Sequence, residues 1–161
     1  MRVGTGYDLH RFRDPAEGTL RLGGVEVPGA PSLEGHSDGD ALIHAIIDAL
    51  LGAAGEGDIG RHFPPGEEST RGIDSRELLK RVQRLVVARG FAIQNVDATV
   101  IAERPRLGGY IDAMRDSIAV VLGIPPGRVN VKATTNERVG DIGAGLAIAA
   151  LAVTLLEEDV P

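Results

Sequence analysis

The chain has 161 residues, 43% hydrophobic and 25% charged, which suffices for one globular domain with a real core and requires no second one. It contains no cysteine, so thiolate metal sites, disulfides and a cysteine nucleophile are excluded, and metal binding falls to His, Asp and Glu. A formal net charge of −6 with no basic, aromatic-interleaved stretch speaks against a nucleic-acid surface, and no apolar run reaches membrane length.

Met1 to His10 lacks the apolar core of a secretory leader, so the chain reads as soluble and cytoplasmic. The same stretch reads as a strand, and in an extended strand Asp8 and His10 point to one face. A polar turn at Asp14-Pro15 precedes a short strand from Leu20 to Val27, and Pro28 to Gly35 is a loop that delivers His36 to a helix start. That helix is predicted with Ser37 as cap and Asp40 as its capping-box partner, running to about Leu51, where Gly52 ends it. It is apolar on almost every side, which marks it as buried. Asp40, His44 and Asp48 recur every fourth residue and form one polar stripe on it, and a buried polar stripe needs a partner.

From Gly52 to Gly72 the chain is dense in Gly, Pro and charge and has no periodicity, the pattern of a lid or binding loop. Asp74, with Glu77 in the first turn, caps an amphipathic helix that Gly90 stops. Phe91 to Ala102 is a predicted strand, Glu103 to Gly109 a loop, Tyr110 to Leu122 a helix, Arg128 to Thr134 a strand, and Thr135 to Gly145 a second loop. Periodicity does not assign the uncharged run from Leu146 to Leu156: its alanines favour helix, while Ile148, Val153 and Thr154 favour strand. It is taken as a strand. Residues 157–161 are predicted to be a frayed tail.

One carboxylate and two imidazoles, from Asp8, His10 and His44, would make a three-ligand set with an open fourth position, as expected of catalytic zinc. His36 and His44 are eight residues apart, roughly 12 Å along a helix, so they cannot share one metal while both sit on it. At a helix N-terminus His36 is placed to meet an anion such as phosphate; its simpler reading is a loop or capping residue. Asp48, one turn beyond His44, is in register to orient that imidazole. Asp58 fits a turn as well as a ligand contact, and His62 reads as an exposed loop histidine. Thr134, Thr135 and Glu137 follow a strand end, where they fit either a phosphate and Mg²⁺ pocket or a solvated loop. A zinc hydrolase and a non-catalytic, zinc-stabilised trimeric binding protein both fit these features.

The stretches GYDLH at Gly6 to His10, HSDGDALIHAIIDALLGAAGEGDIG at His36 to Gly60, FPP at Phe63, GIDSRELL at Gly72, NVDATVIAERP at Asn95 and VNVKATTNE at Val129 carry a resemblance over nearly the whole length. With them the chain resembles the 2-C-methyl-D-erythritol 2,4-cyclodiphosphate synthases of the non-mevalonate isoprenoid pathway. The resemblance implies an α/β fold of α+β type: a single catalytic domain over residues 1–161, with a mixed sheet covered by helices on one side. It also implies a homotrimer with the sheets facing inward and the active sites at subunit interfaces. Zn²⁺ would sit on Asp8, His10 and His44, and Mg²⁺ or Mn²⁺ on Glu137 across the substrate diphosphate. His36 and Thr135 would stabilise the transition state.

The same resemblance assigns contacts with a CDP-containing small molecule, 4-diphosphocytidyl-2-C-methyl-D-erythritol 2-phosphate. Asp8, His10, His36, Ser37, Asp58, Ile59, Gly60, Phe63, Pro64, Pro65, Gly66 and Glu67 would meet its erythritol and phosphates. Ala102, Glu103, Arg104, Pro105, Arg106, Leu107, Gly108, Thr134, Thr135, Asn136 and Glu137 of a neighbouring subunit would meet the cytidine end, and Asp141 is a further contact. The 2-phosphate would attack the β-phosphorus of its own molecule and expel CMP, with no protein nucleophile. The chain departs from the pattern at Ala144 and Leu146, where relatives carry the Arg and Glu associated with isoprenoid diphosphates in the trimer channel. Further departures are Asp141 for Phe, and Pro65 with Glu67 in place of an Asp-rich loop.

Overall fold

The uncharged run near the C-terminus is a strand at the middle of the sheet. In the computed structural model, which describes residues 1–14 and 16–158, β6 (Ala147–Glu158) lies between β1 (Arg2–Arg11) and β4 (Phe91–Ile101), and β5 (Val129–Thr134) forms the far edge. β6 runs antiparallel to both neighbours, whereas β4 and β5 are parallel and joined through α4 (Ile111–Leu122). The C-terminal ends of β1, β4 and β5 therefore emerge at one end of the sheet. Its open face also carries apolar residues, Leu151 and Val153 among them, which is why alternation could not identify β6.

Two expectations at the chain's turns and tail are partly outside the described residues: Pro15 of the Asp14-Pro15 turn, and residues 159–161 of the tail. Glu157 and Glu158 are not frayed. They continue β6 and pair with Ala92 and Phe91. The segment from Leu20 to Val27 is a hairpin of β2 (Leu20–Leu22) and β3 (Val25–Val27), and not one strand, because Gly23 and Gly24 both adopt positive φ and reverse the chain.

Helix α1 (Ala41–Ala54) is buried on nearly every side. Its cap is Asp40, not Ser37: Asp40 Oδ1 accepts from the Ile43 amide at 3.0 Å. The carboxylate is fully buried and also accepts the amides of Gly23 and Gly24, at 2.9 and 2.7 Å, so the hairpin turn and the helix start share one acceptor. Burial pushes the Asp40 carboxyl up against the opposing effect of these backbone hydrogen bonds. The helix also passes Gly52 and ends at Gly55 in the left-handed conformation, because the added turn buries Ala53 and Ala54.

Glycine lets α1 lie directly on β1. A Cβ on Gly4 would overlap the carbonyl oxygen of Ala49, and one on Gly6 that of Ala45. The next inward positions of β1 are Asp8 and His10, so the strand brings its ligands to the helix at the closest approach of the two backbones. Helix α3 (Ser75–Ala88), capped by Asp74 as predicted, packs against α1, and its apolar side is closed by Leu78, Leu79, Val82 and Val86. Two short helices, α2 (Ile59–His62) and α5 (Gly140–Gly143), lie within the two long loops. The face of the sheet away from the helices leaves Val3, Tyr7, Leu9, Leu151 and Val153 exposed.

Candidate metal centre and substrate clefts

At the end of the Gly4 and Gly6 row, three ligand atoms converge. Asp8 Oδ2 is 2.8 Å from His10 Nε2 and 3.0 Å from His44 Nδ1, and the two nitrogens are 3.2 Å apart. Asp8 and His10 come from one face of β1, and His44 comes from the second turn's start in α1, as strand and helix spacing predict. A tetrahedral zinc with bonds of about 2.0 to 2.1 Å has edges of about 3.3 Å, so a closed triangle of this size fits three of its four ligands. Hydrogen bonds along a chain do not need such a triangle, and these are the only three residues among those described that form a metal-competent cluster.

The electrostatics agree with a cation-binding role. Burial would raise the Asp8 carboxyl, but hydrogen bonds and charge from His10 and His44 outweigh it and hold the group well below the usual carboxylate range. Burial would lower His10, but Asp8 prevails and raises it. The ring of His10 also bonds the Glu34 backbone carbonyl, and His44 Nε2 lies 3.0 Å from Ser37 Oγ and 2.9 Å from Ser75 Oγ. Each imidazole thus has a partner on the side away from the triad.

Asp48 does not orient His44. Its Oδ1 accepts the Ile59 amide at 2.7 Å, while Asp58 caps α2 by accepting from Arg61, so the two carboxylates fasten the Asp58 to Gly60 turn over the triad. Sequence reasoning missed Ser75, which arrives from the first position of α3. His36 is not on a helix. It lies in the loop before Asp40, with Nε2 2.8 Å from the Glu67 carbonyl, and the α1 N-terminus is closed by Asp40 and buried. His62 is only half exposed and bonds the Glu56 carbonyl at 2.9 Å.

The triad opens into a cleft of about 280 Å³ that His36, Ser37, Ile59, Gly60, Phe63 and Pro65 also line. Asp58, Pro64, Gly66 and Glu67 belong to the same loop without forming its wall. A second cleft, about 600 Å³, lies beyond the ends of β4 and β5 and is lined by Ala102, Glu103, Pro105, Arg106, Leu107, Gly108, Thr134 and Thr135. From its wall, Thr135 Oγ1 donates to Glu137 Oε1 at 2.9 Å, with Glu137 held at positive φ and Asn136 tied to the Val139 carbonyl. Arg104 turns away toward the Gly145 carbonyl, 3.5 Å from its Nη2, and Asp141 pairs with Arg11 at 3.5 Å. The two clefts share no lining residue.

A family model described as the YgbB family matches residues 1–157. The chain belongs to the YgbB family. The 2-C-methyl-D-erythritol 2,4-cyclodiphosphate synthase of Gloeobacter violaceus is 57% identical over 98% of this chain and 96% of its own. Among solved structures, the bifunctional IspDF of Campylobacter jejuni is 39% identical with a TM-score of 0.93; this chain is covered to 98% and spans 42% of that longer protein. The CDP complex of IspF from Plasmodium falciparum is 34% identical with a TM-score of 0.85, covering 99% and 97% of the two chains. A YgbB-family chain is thus a mixed α/β protein of the cyclodiphosphate synthase class, and no described helix is long and apolar enough to cross a membrane.

Proposed function

We propose that the chain converts 4-diphosphocytidyl-2-C-methyl-D-erythritol 2-phosphate to 2-C-methyl-D-erythritol 2,4-cyclodiphosphate and CMP, a phosphorus-oxygen lyase step of the non-mevalonate pathway. The observation that carries the reading is the Asp8, His10 and His44 triangle opening into a cleft with His36 and Ser37, in a chain whose relatives are named for this reaction. The 2-phosphate oxygen forms the new bond to the β-phosphorus while the bond from that phosphorus to the oxygen of the departing CMP breaks. No protein nucleophile is required, and alignment of an intramolecular attack supplies up to roughly 7 to 11 kcal/mol.

His36 and Ser37 hold the phosphates at the triad, and the Ile59 to Gly60 turn with Phe63 and Pro65 walls off water. The second cleft takes the cytidine, with Thr135 beside the diphosphate. Zn²⁺ on Asp8, His10 and His44 would supply Lewis-acid polarisation of a phosphate, and Mg²⁺ or Mn²⁺ on Glu137, whose single carboxylate suits a metal completed by phosphate oxygens, would offset charge on the leaving diphosphate.

The working unit on this reading is a homotrimer of single catalytic domains in the cytoplasm, with the clefts of neighbouring subunits completing each site. Two features support it. β1 and β5 are opposite edges of the sheet, roughly 14 Å apart, so the two clefts of one chain do not merge. The outward sheet face keeps Val3 65% and Tyr7 53% exposed, an apolar surface fit for burial against copies. A CMP-release assay tests the reading: release that stops on chelation and returns with Zn²⁺ and Mg²⁺ supports it, and no release from the metal-loaded protein refutes it.

A further inference from the structure

The ring nitrogen of His44 that faces away from the triad has a partner whose hydrogen is already committed. Ser75 Oγ lies 2.9 Å from His44 Nε2 and 2.5 Å from Asp38 Oδ1. A serine hydroxyl carries one hydrogen, and a carboxylate only accepts. The Ser75 hydrogen therefore goes to Asp38, and the Ser75 oxygen meets His44 as an acceptor. His44 Nε2 must then be the donor, so that a bound metal takes the lone pair of Nδ1 in place of the hydrogen this atom shares with Asp8 Oδ2, 3.0 Å away, when no metal is there.

We propose that Ser75 and Asp38 are positioning residues for the metal site, a relay from Asp38 through Ser75 to His44 that selects the imidazole tautomer able to bind metal. The proposal rests on the reading of Asp8, His10 and His44 as metal ligands. Both relay members are fixed in place. Ser75 is the first residue of α3 and is fully buried, so its hydroxyl is held by the helix. Asp38 is tied on every side: Oδ2 accepts the Ser75 amide at 3.1 Å, Oδ1 also accepts the Asp40 amide at 3.2 Å, and its own amide donates to the Ile73 carbonyl at 3.2 Å.

The arrangement extends the metal centre into α3, an element that supplies no ligand, and joins it to the loop bearing His36 and Ser37. Gly72 donates to the His36 carbonyl at 2.8 Å, so that loop and the start of α3 are bonded at both ends. His10 has no such side-chain relay, because its outer partner is the Glu34 backbone carbonyl. The two imidazoles therefore differ in what mutation can do to them: only His44 can lose its tautomer by side-chain replacement. Ser37 Oγ, 3.0 Å from Nε2, is a second acceptor that remains when Ser75 is truncated.

Asp38→Asn is consequently the sharper variant. An amide turned toward Ser75 would donate to its oxygen, release the hydroxyl hydrogen toward His44 Nε2 and drive the hydrogen onto Nδ1. The test measures zinc affinity by competition with a chromophoric chelator, alongside ¹⁵N NMR of the His44 ring in metal-free protein at alkaline pH, for the wild type, Asp38→Asn and Ser75→Ala. The expected results are a larger share of the Nδ1-H form in Asp38→Asn than in the wild type, where Asp8 at Nδ1 competes with Ser75 at Nε2, and zinc affinity lower by about 10- to 100-fold in Asp38→Asn and by a smaller factor in Ser75→Ala. Should Asp38→Asn fail to fold, the affinity of Ser75→Ala decides. Wild-type tautomer and wild-type affinity in the folded variants overturn the proposal. A wild-type protein that binds no zinc instead removes the metal-site reading itself, a separate outcome.

Discussion

A methyl group on Gly6 would occupy the space of the Ala45 carbonyl oxygen. Gly4 stands in the same relation to Ala49, so β1 and α1 touch backbone to backbone just before the strand presents Asp8 and His10 and one residue from His44. The glycine row sets the distance at which the ligand triangle closes.

Gly6→Ala should therefore destabilise the chain by about 1 to 3 kcal/mol or more, since neither backbone can yield without moving the whole helix, and should weaken zinc binding as well. Gly52→Ala is the matched control. Gly52 lies within α1 and its added Cβ would find only the Thr5 carbonyl of β1, at 3.9 Å, so the change should stabilise by about 0.4 to 1 kcal/mol. Urea denaturation of both variants checks the pair, and equal stability for Gly6→Ala and wild type would contradict the packing argument.

Metal content and turnover should separate by residue. His44→Ala and Asp8→Ala should lose stoichiometric zinc, read by elemental analysis. His36→Ala should keep its zinc and lose turnover by about 10²- to 10³-fold, the effect of removing one group that stabilises developing charge. Unchanged zinc in His44→Ala would refute the ligand assignment.

Opposite pH dependences are expected with and without metal. In metal-free protein the His10 pKa is raised, so its contribution to stability is present below the unfolded value near 6.5 and is lost as pH rises through the folded value. Asp8 is depressed, so its contribution is present above the ordinary 3.8 and disappears only in stronger acid. Zinc needs neutral imidazoles, so its stabilising increment should grow as pH rises through the window where metal-free protein weakens. Melting temperatures from pH 5.5 to 8.5, with zinc and with chelator, test this; parallel curves would count against it.

The parts of the site set by periodicity were legible in the chain. Asp8 and His10 share a face because a strand repeats every second residue, and His44 stood out because a charged stripe on an oily helix has to meet something. What depended on distant segments was not. Ser37 and Asp40 are both capping types, and the choice fell to Asp40 because the Gly23 and Gly24 amides reach it from the hairpin. Asp48 had the right helical spacing for His44, but the loop folds back and gives it the Ile59 amide. Ser75 meets His44 from another helix, which no local pattern records. Apolar side chains on both faces of β6, with Leu151 and Val153 on the open one, likewise hid the alternation by which strands are read.

Subunit mixing should restore activity if neighbouring chains complete each site. His44→Ala breaks the triad half and Glu137→Ala the diphosphate half. Unfolding and refolding the two inactive proteins together should leave about a quarter of the sites with both halves intact. Recovered CMP release near that fraction is expected, and none at all would place both halves in one chain.

The most direct measurement is phosphorus NMR of the product formed from 4-diphosphocytidyl-2-C-methyl-D-erythritol 2-phosphate by the metal-loaded protein. The account predicts CMP and the paired resonances of a cyclic diphosphate. CMP with a linear bisphosphate, the product of attack by water, would contradict it.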